Sequence, residues 1–302
     1  MNIAIGCRML VAYYAPIKAK EINMQAPSHP LQAIAAANKP VALITGASSG
    51  IGEALAHCFA ANRHQVILVA RSADKLQALA TQLQKKYGNL AHAMPTDLAA
   101  DGAVDGLARE LQIYECIPDV LINCAGVLEQ KPFVQIAPQG QLAMIDLNIS
   151  ALTAMLAHVL PAMVLRGSGR VLNVASVAAF QPIPMLATYA ATKAYVLSLS
   201  ESLSDELRGT GVTVTALCPG ITATRMLQSA TQNNQSLNQL PSFVVGDVDA
   251  VARQGFDACM QGKVICVPGA VNQLANWASR STPRALLRRV TGLLASTKYG
   301  GG

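Results

Sequence analysis

The chain is poor in charged and aromatic residues. Of its 302 residues, 13% are charged and 4% are aromatic, and there is a single Trp. Hydrophobic residues make up 52% of the chain, so it can bury a large core, and a globally disordered chain is excluded. Because aromatic side chains are scarce, we expect that core to be built mainly from Ala, Leu, Val and Ile.

The seven cysteines and five histidines form no recognisable framework. No two cysteines stand in a C-x-x-C pair, and the histidines share no metal-like spacing with them. An odd number of scattered cysteines indicates a reducing, intracellular environment. We therefore expect no metal site and a cytoplasmic location.

The net charge of +6 is concentrated at the two ends of the chain. Residues 1–40 carry +3 and residues 258–302 carry +6, whereas residues 41–257 carry −3. Proteins that bind nucleic acid usually concentrate basic groups on the folded domain, so we expect no nucleic-acid partner. We interpret residues 1–39 as a poorly ordered extension, residues 40–270 as the folded domain, and residues 271–302 as a basic amphipathic extension.

The C-terminal extension has two interpretations. A helix there would gather its apolar residues on one face, with Arg284 and Arg288 opposite; the apolar residues are Leu286, Leu287, Val290, Leu293 and Leu294. Such a helix can pack on its own domain or on a partner subunit. It can equally lie on the inner face of an anionic membrane as a peripheral contact.

Between the two extensions, short apolar runs alternate with longer helical segments. Continuous apolar runs predict buried strands at 41–45, 65–69, 120–123, 170–174 and 212–217. Weaker runs predict two more strands, at 90–95 and 263–267, and the longest predicted helices lie at about 139–165 and 188–208. This alternation is typical of a parallel sheet covered on both faces. The sequence predicts one α/β domain with a doubly wound, Rossmann-type sheet of about seven strands.

A glycine-rich segment follows the first predicted strand. It reads Thr45-Gly46-Ala47-Ser48-Ser49-Gly50-Ile51-Gly52 and opens a predicted helix. Glycines at such a junction allow a tight turn and a close backbone approach, and the helix N-terminus offers free N–H groups to an anion. The segment therefore predicts a binding site for the pyrophosphate of a dinucleotide.

The second predicted strand ends without an acidic residue. Rossmann proteins that select NAD usually carry Asp or Glu about 20 residues after the glycines, to bind the ribose hydroxyls. This chain has Arg71 at the strand end, where a guanidinium can pair with a 2′-phosphate. The sequence therefore favours NADP(H) over NAD(H).

A second group of residues suits proton transfer. Tyr189 and Lys193 are four positions apart at the start of a predicted helix, so they share one face. An ammonium beside a phenol stabilises the phenolate and lowers the pKa of the phenol. Ser176, thirteen residues before Tyr189, ends a predicted strand at the edge where open α/β sheets bind ligands.

Together these segments resemble the compact single-domain branch of the short-chain dehydrogenases/reductases, over about residues 40–270. The matching pieces, in family order, are Thr45–Gly52, Asp97, Asn123-Cys124-Ala125-Gly126, Asn148, Ser176, Tyr189-Ala190-Ala191-Thr192-Lys193 and Pro219-Gly220. One departure is Cys124, where the family often has a second Asn. Another is the lack of a basic residue in the glycine-rich segment, which leaves the NADP(H) preference resting mainly on Arg71.

The resemblance implies a role for each matched position. Tyr189 would be the general acid/base, with Lys193 lowering its pKa and binding the nicotinamide ribose. Ser176 would hydrogen-bond the substrate oxygen, and Asn148 would hold a water that relays protons from Lys193. The implied cofactor contacts are Thr45, Gly46, Ser48, Ser49, Gly50, Ile51, Gly52, Arg71, Asp97, Leu98, Asn123, Ala125, Gly126, Tyr189, Lys193, Pro219, Gly220 and Thr222. It also implies a homodimer or homotetramer built through the two long helices.

The predicted substrate walls are apolar. The resemblance places one wall in the segment 223–247, between the sixth and seventh predicted strands, with Met226, Leu227, Leu237, Leu240 and Phe243. The other follows Ser176 and contains Phe180, Pro182, Ile183, Pro184 and Met185. We expect NADP(H)-dependent reduction of a hydrophobic ketone or aldehyde, or oxidation of the matching alcohol. The alternatives are a 3-ketoacyl thioester reductase of lipid metabolism and a non-catalytic NADP-binding sensor or scaffold.

Overall fold

The computed structural model describes residues 29–222, 246–269 and 272–273. A seven-stranded sheet has the order β3-β2-β1-β4-β5-β6-β7, and every neighbouring pair is parallel. The strands are β1 Val41–Thr45, β2 Gln65–Ala70, β3 Ala91–Pro95, β4 Val120–Asn123, β5 Gly169–Val174, β6 Val212–Leu217 and β7 Ile265–Cys266. The predicted single-domain Rossmann-type sheet is confirmed.

Eight α-helices in the described ranges flank this sheet. They are α1 Pro30–Ala36, α2 Gly50–Ala61, α3 Ala73–Tyr87, α4 Ala103–Ile113, α5 Pro138–Ile145, α6 Leu152–Arg166, α7 Ala187–Glu206 and α8 Val248–Met260. One hydrophobic cluster joins a sheet face to α1, α4, α6 and α7, and a second joins the opposite face to α2, α3 and α8. Alternate strand residues supply the two clusters, as the period of a strand requires.

Helices α5 and α6 are joined by a π-helical segment, Asp146–Ala151. The continuous helical stretch Pro138–Arg166 has 29 residues and contains an 18-residue window with a mean hydropathy of 1.6, enough by length and composition to cross a membrane. Its apolar side chains are, however, part of the core. Leu152, Met155, Leu156, Val159 and Met163 all pack in the first hydrophobic cluster, and we assign the stretch to the layer of helices that covers the sheet.

The folded part of the chain begins earlier than the sequence predicted. Helix α1 lies within the segment 1–39 that we had interpreted as a poorly ordered extension. Leu31 and Ile34 are 0% and 1% exposed and belong to the first hydrophobic cluster, and the His29 ring stacks on Tyr114 at 3.8 Å between centroids. This helix is short, so its stability comes from packing against the domain, which a local sequence pattern does not report.

Some predictions concern residues outside the described ranges. They include residues 1–28 of the N-terminal extension, residues 223–245 of the predicted substrate wall, and nearly all of the basic C-terminal extension.

Candidate active site

A cavity of about 560 Å³ lies at the carboxyl ends of the parallel strands. Its lining comes from segments that follow each of the first six strands, β1 to β6. Ligands of open α/β sheets bind at this edge. Most of the predicted site residues line it: Gly46, Ser48, Ser49, Gly50, Ile51, Arg71, Asp97, Leu98, Ala125, Gly126, Ser176, Tyr189, Lys193, Pro219, Gly220 and Thr222.

The glycine loop (residues 46–52) has a backbone that side chains would obstruct. Gly46 and Gly50 have φ angles of 68° and 60°, in the left-handed region that favours glycine. A Cβ on Gly46 would lie 2.8 Å from the backbone of Ala125, and one on Gly52 would clash with the carbonyl oxygen of Gly46. The loop therefore needs glycine both for its turn and for its close packing.

Helix α2 begins at Gly50, directly after this loop. Its N-cap residue, Ser49, makes no capping hydrogen bond with its side chain, so that side chain leaves the N–H groups of the first turn free. Those N–H groups and the helix dipole favour an anion. The end of α2 therefore fits the pyrophosphate of a dinucleotide.

Thr45 and Gly52 shape the loop and do not line the cavity. The Thr45 hydroxyl donates to the carbonyl oxygen of Ile122 at 3.3 Å and accepts from the N–H groups of Cys124 and Ala125 at 3.0 and 3.1 Å. It thus joins the ends of β1 and β4. Their neighbouring loops form adjacent parts of the cavity wall.

Arg71, Asp97 and Leu98 line the cavity beyond the ends of β2 and β3. The Arg71 side chain is exposed, and in the described part of the chain no ion pair or hydrogen bond engages its guanidinium. Asp97 accepts a hydrogen bond from the N–H of Ala99 at 3.2 Å. Together with the glycine loop, this end of the cavity offers hydrogen-bond donors and one carboxylate acceptor that could bind the adenosine and pyrophosphate of a nicotinamide dinucleotide.

Asn123 lies behind the cavity wall. Its Nδ2 donates to Oδ1 of Asn173 at 2.9 Å, and Nδ2 of Asn173 donates to the Ser200 hydroxyl at 3.0 Å. Asn123 does not line the large cavity, and the cofactor contact that the resemblance implied for it stays a prediction. The side chain instead ties β4 to β5, and β5 in turn to helix α7.

Ser176, Tyr189 and Lys193 meet at the other end of the cavity. Ser176 follows β5, and its hydroxyl hydrogen-bonds the side chain of Tyr189 and lies 3.5 Å from the carbonyl oxygen of Pro219. Both Tyr189 and Lys193 lie in the first two turns of α7. The Lys193 Nζ donates to the carbonyl oxygen of Val174 at 2.8 Å and lies 5.8 Å from the centroid of the Tyr189 ring.

Burial is the largest cause of the pKa shifts of Tyr189 and Lys193. It raises the pKa of Tyr189 above its ordinary value, while the hydrogen bond from Ser176 acts in the opposite direction. It lowers the pKa of Lys193 to about 8. The net shift of the Tyr189 pKa is therefore upward, opposite to the lowering expected from Lys193. Tyr189 holds its proton at neutral pH and is available as an acid.

Asn148 lies in the π-helical segment and is buried. Its Oδ1 accepts from the N–H of Val127 at 2.9 Å, and its Nδ2 donates to the Val127 carbonyl at 2.9 Å and to the Thr192 hydroxyl at 3.0 Å. The Asn148 side chain therefore holds Val127, which lines the cavity. Asn148 itself does not line the cavity. The implied water relay stays a prediction.

The sequence missed several lining residues. Val127, Leu128, Gln130 and Leu186 form part of the wall near the catalytic group. Of the five apolar residues predicted after Ser176, only Ile183 lines the cavity. The position of Leu128 and Gln130 just beyond the Asn123–Gly126 motif, at a strand end, was the signal that could have found them.

Among the described residues, no cluster of three or more His, Cys, Asp or Glu side chains could hold a metal ion.

Known proteins are similar to this chain in sequence and in fold. An uncharacterized oxidoreductase of Staphylococcus haemolyticus is 37% identical over 192 residues, which is 63% of this chain and 81% of the relative. A short-chain dehydrogenase from Sphingobium yanoikuyae, solved in complex with NADPH, is 34% identical with a TM-score of 0.72, covering 85% of this chain and 95% of that one. A bulky-bulky ketone specific alcohol dehydrogenase from Comamonas testosteroni is 29% identical with a TM-score of 0.68, covering 82% and 96%.

A family model described as short chain dehydrogenase matches residues 40–235. That range contains the glycine loop, Ser176, Tyr189 and Lys193, and it covers more than half of the chain. The protein therefore belongs to the short-chain dehydrogenase/reductase family of oxidoreductases.

Proposed function

We propose that the protein is an NADP(H)-dependent oxidoreductase that reduces a hydrophobic ketone or aldehyde, or oxidises the matching alcohol, with Tyr189 as general acid/base. The observation that carries this proposal is the meeting of Ser176, Tyr189 and Lys193 on one cavity whose other end is formed by the glycine loop and Arg71. A cofactor bound along this cavity extends from Arg71 towards the catalytic group.

The three side chains can carry out the proton half of the reaction. The bound nicotinamide supplies or accepts the hydride at carbon. In the direction of reduction, the Tyr189 hydroxyl donates its proton to the carbonyl oxygen, and Ser176 hydrogen-bonds that oxygen as negative charge develops. The Lys193 ammonium stabilises the phenolate that remains on Tyr189. In oxidation the same steps occur in reverse, and the Tyr189 phenolate accepts the proton of the alcohol.

The choice of NADP(H) over NAD(H) is supported by Arg71. It is a cavity-lining cation in the position where an acidic residue would bind ribose hydroxyls. The Sphingobium relative, which was solved with NADPH, is consistent with this choice.

The preference for a hydrophobic carbonyl is supported by the wall around the catalytic group. Val127, Leu128, Ile183 and Leu186 are apolar, and Gln130 supplies an uncharged amide. Among described residues, the charged side chains that line the cavity are Arg71, Asp97 and Lys193, of which only Lys193 is at the catalytic end. The Comamonas relative is named for bulky ketones, which agrees with an apolar substrate wall.

The test is NADPH oxidation with a panel of hydrophobic ketones and aldehydes. Loss of the proton donor in Tyr189→Phe should lower kcat by roughly 100- to 10,000-fold. The matched control is Tyr195→Phe, a tyrosine on the same helix that is 38% exposed and hydrogen-bonds Thr153 outside the cavity. Equal turnover by Tyr189→Phe and the parent would show that Tyr189 is not the acid.

The same panel separates the two alternatives. A marked preference for a 3-ketoacyl thioester over simple ketones would assign the protein to thioester reduction. Tight binding of NADPH with no turnover of any carbonyl compound would favour the non-catalytic sensor or scaffold.

A further inference from the structure

Gln141 on α5 makes the same kind of contacts as Asn148, seven positions later. Its side chain is buried, with the residue 9% exposed. The amide Nε2 donates to the carbonyl oxygen of Phe133 at 3.2 Å, and the amide oxygen accepts from the hydroxyl of Thr188. Asn148 likewise donates to the carbonyl oxygen of Val127 and to the hydroxyl of Thr192.

The two threonines flank the catalytic tyrosine. Thr188 precedes Tyr189, and Thr192 lies one helical turn after Thr188 and directly before Lys193. Each amide therefore joins a threonine of α7 to a backbone carbonyl in residues 127–135, which we call the wall segment. This segment also supplies Leu128 and Gln130 to the cavity.

A further contact fixes the wall segment on its other side. The N–H of Lys131 donates to the carbonyl oxygen of Met185 at 3.1 Å. Met185 has a φ of 67°, a left-handed conformation that costs free energy for a residue with a side chain. The wall segment is therefore held in two ways. The side-chain amides of Gln141 and Asn148, both in the helical stretch Pro138–Arg166, bind one part of it, and Met185, just before α7, binds another.

We propose that Gln141 is a positioning residue for the reaction: it holds Tyr189 and the substrate wall at a fixed separation through Thr188 and Phe133. The proposal rests on the function proposed above. Asn148 performs the matching task one turn further along α7, next to Lys193. Because an active site loses rate when the reacting groups move by about 1 Å, loss of this bridge should lower kcat rather than cofactor binding.

The first test compares Gln141→Leu with Gln139→Leu, an exposed glutamine on the same helix. We expect kcat for ketone reduction to fall at least about tenfold in Gln141→Leu, with the Kd for NADPH within about twofold of the parent. The control variant should keep the parent kcat. Equal kcat values in the two variants, measured at a temperature where both are folded, would overturn the proposal.

Gln141→Glu separates positioning from simple support of the fold. A protonated carboxyl can accept from Thr188 and donate to the Phe133 carbonyl, whereas a carboxylate can only accept. The kcat of this variant, relative to the parent, should therefore rise as pH falls, and that of Gln141→Leu should stay low. The wall segment also carries the Glu129–Lys131 ion pair at 2.9 Å, so Glu129→Gln is the control for titration of that neighbour. A pH-independent ratio for Gln141→Glu would contradict the bridge.

Thr188→Val tests the other end of the bridge and keeps the proposal falsifiable if Gln141→Leu does not fold. It should lower kcat as much as Gln141→Leu, and the double variant should lose little more, because both remove one interaction. Fully additive losses would refute a shared bridge.

Amide hydrogen exchange provides a readout without substrate. Exchange in residues 127–135 and 187–193 should be faster in Gln141→Leu than in Gln139→Leu. If the parent reduces no carbonyl compound while this difference is found, the proposed function fails and the bridge stands. If the parent is active and neither exchange nor kcat differs between the variants, the bridge fails and the proposed function stands.

Discussion

At the scale of single residues, we expect Arg71 to decide between the two nicotinamide cofactors. Its exposed guanidinium lines the cavity, and the chain offers no acidic side chain at the end of β2 to bind ribose hydroxyls. A hydrogen bond to a charged group contributes about 1.5–3 kcal/mol. Since each 1.4 kcal/mol is a factor of about ten, one such contact can account for most of a cofactor preference.

Arg71→Ala should therefore raise the KM for NADPH by roughly 10- to 100-fold and leave the KM for NADH almost unchanged. Steady-state kinetics with both cofactors measures the two effects. The matched control is Lys75→Ala. This variant removes an exposed cation that lies four residues after Arg71 and does not line the cavity. An equal rise in the KM values for NADPH and NADH would mean that Arg71 does not bind the 2′-phosphate.

At the scale of helices and strands, hydrophobic patterning located most of the fold. The boundaries of β1, β4 and β6 coincide with those predicted, because each is a predominantly apolar run closed by turn residues. Helix α1 was missed because it has two large apolar residues and gains its stability from tertiary contacts. The π-helical segment was also missed, since no residue pattern distinguishes it from the α-helices on either side.

The sequence predicted the correct edge of the sheet for the site. It did not predict which side chains at that edge enter the cavity. A motif at a strand end predicts proximity to the cavity. Whether a side chain enters the cavity or turns behind it depends on the local backbone, as Asn123 and Thr45 demonstrate. Gln141 carries no motif at all, and only the approach of α5 to α7 brings its amide to Thr188.

Docking of α1 should contribute measurably to the stability of the domain. Leu31→Ala removes a fully buried side chain from the first hydrophobic cluster, so it should lower the free energy of unfolding by about 2–5 kcal/mol. Urea unfolding followed by circular dichroism gives this value. Gln32→Ala, on the same helix and only half-buried, should change it by less than about 1 kcal/mol. An unchanged free energy in Leu31→Ala would mean that α1 is not docked in solution.

At the scale of the whole molecule, the predictions of assembly, location and membrane contact stay predictions. The two long helical stretches expose Leu142, Leu165 and Tyr195, which suits the homodimer or homotetramer expected for the family. The cytoplasmic location rests on the scattered cysteines. In the described ranges six of them are free thiols, and their burial has a consequence for the stability of the whole domain.

Buried thiols should make the protein sensitive to alkali. Burial raises the pKa of Cys116 and Cys124 to about 11 and that of Cys218 and Cys259 to about 12, from an ordinary value of 9.0. Above pH 9 the unfolded chain releases these protons while the folded protein keeps them. The stabilisation from each thiol is therefore complete below pH 9 and is lost as pH rises towards the folded pKa, at about 1.4 kcal/mol per pH unit.

Lys193 acts in the opposite sense, because its pKa falls to about 8 in the folded protein from 10.5. The folded protein then binds one proton fewer than the unfolded chain, and this offsets one of the four thiols. For these five groups the net slope approaches that of three protons well above pH 9, so their contribution lowers the free energy of unfolding by up to about 4 kcal/mol per pH unit. A domain stabilised by about 5–15 kcal/mol would then unfold within a few pH units.

Urea unfolding at pH 8, 9 and 10, with a reductant present throughout, measures this slope. Cys259→Ala removes one buried thiol from the second hydrophobic cluster and should lessen the slope by about one proton, even though the variant is less stable at pH 8. Lys193→Met should have the opposite effect and steepen the decline. If the free energy of unfolding were constant from pH 8 to 10, the thiols would have to ionise in the folded state as readily as in the unfolded chain, which their burial among apolar side chains opposes.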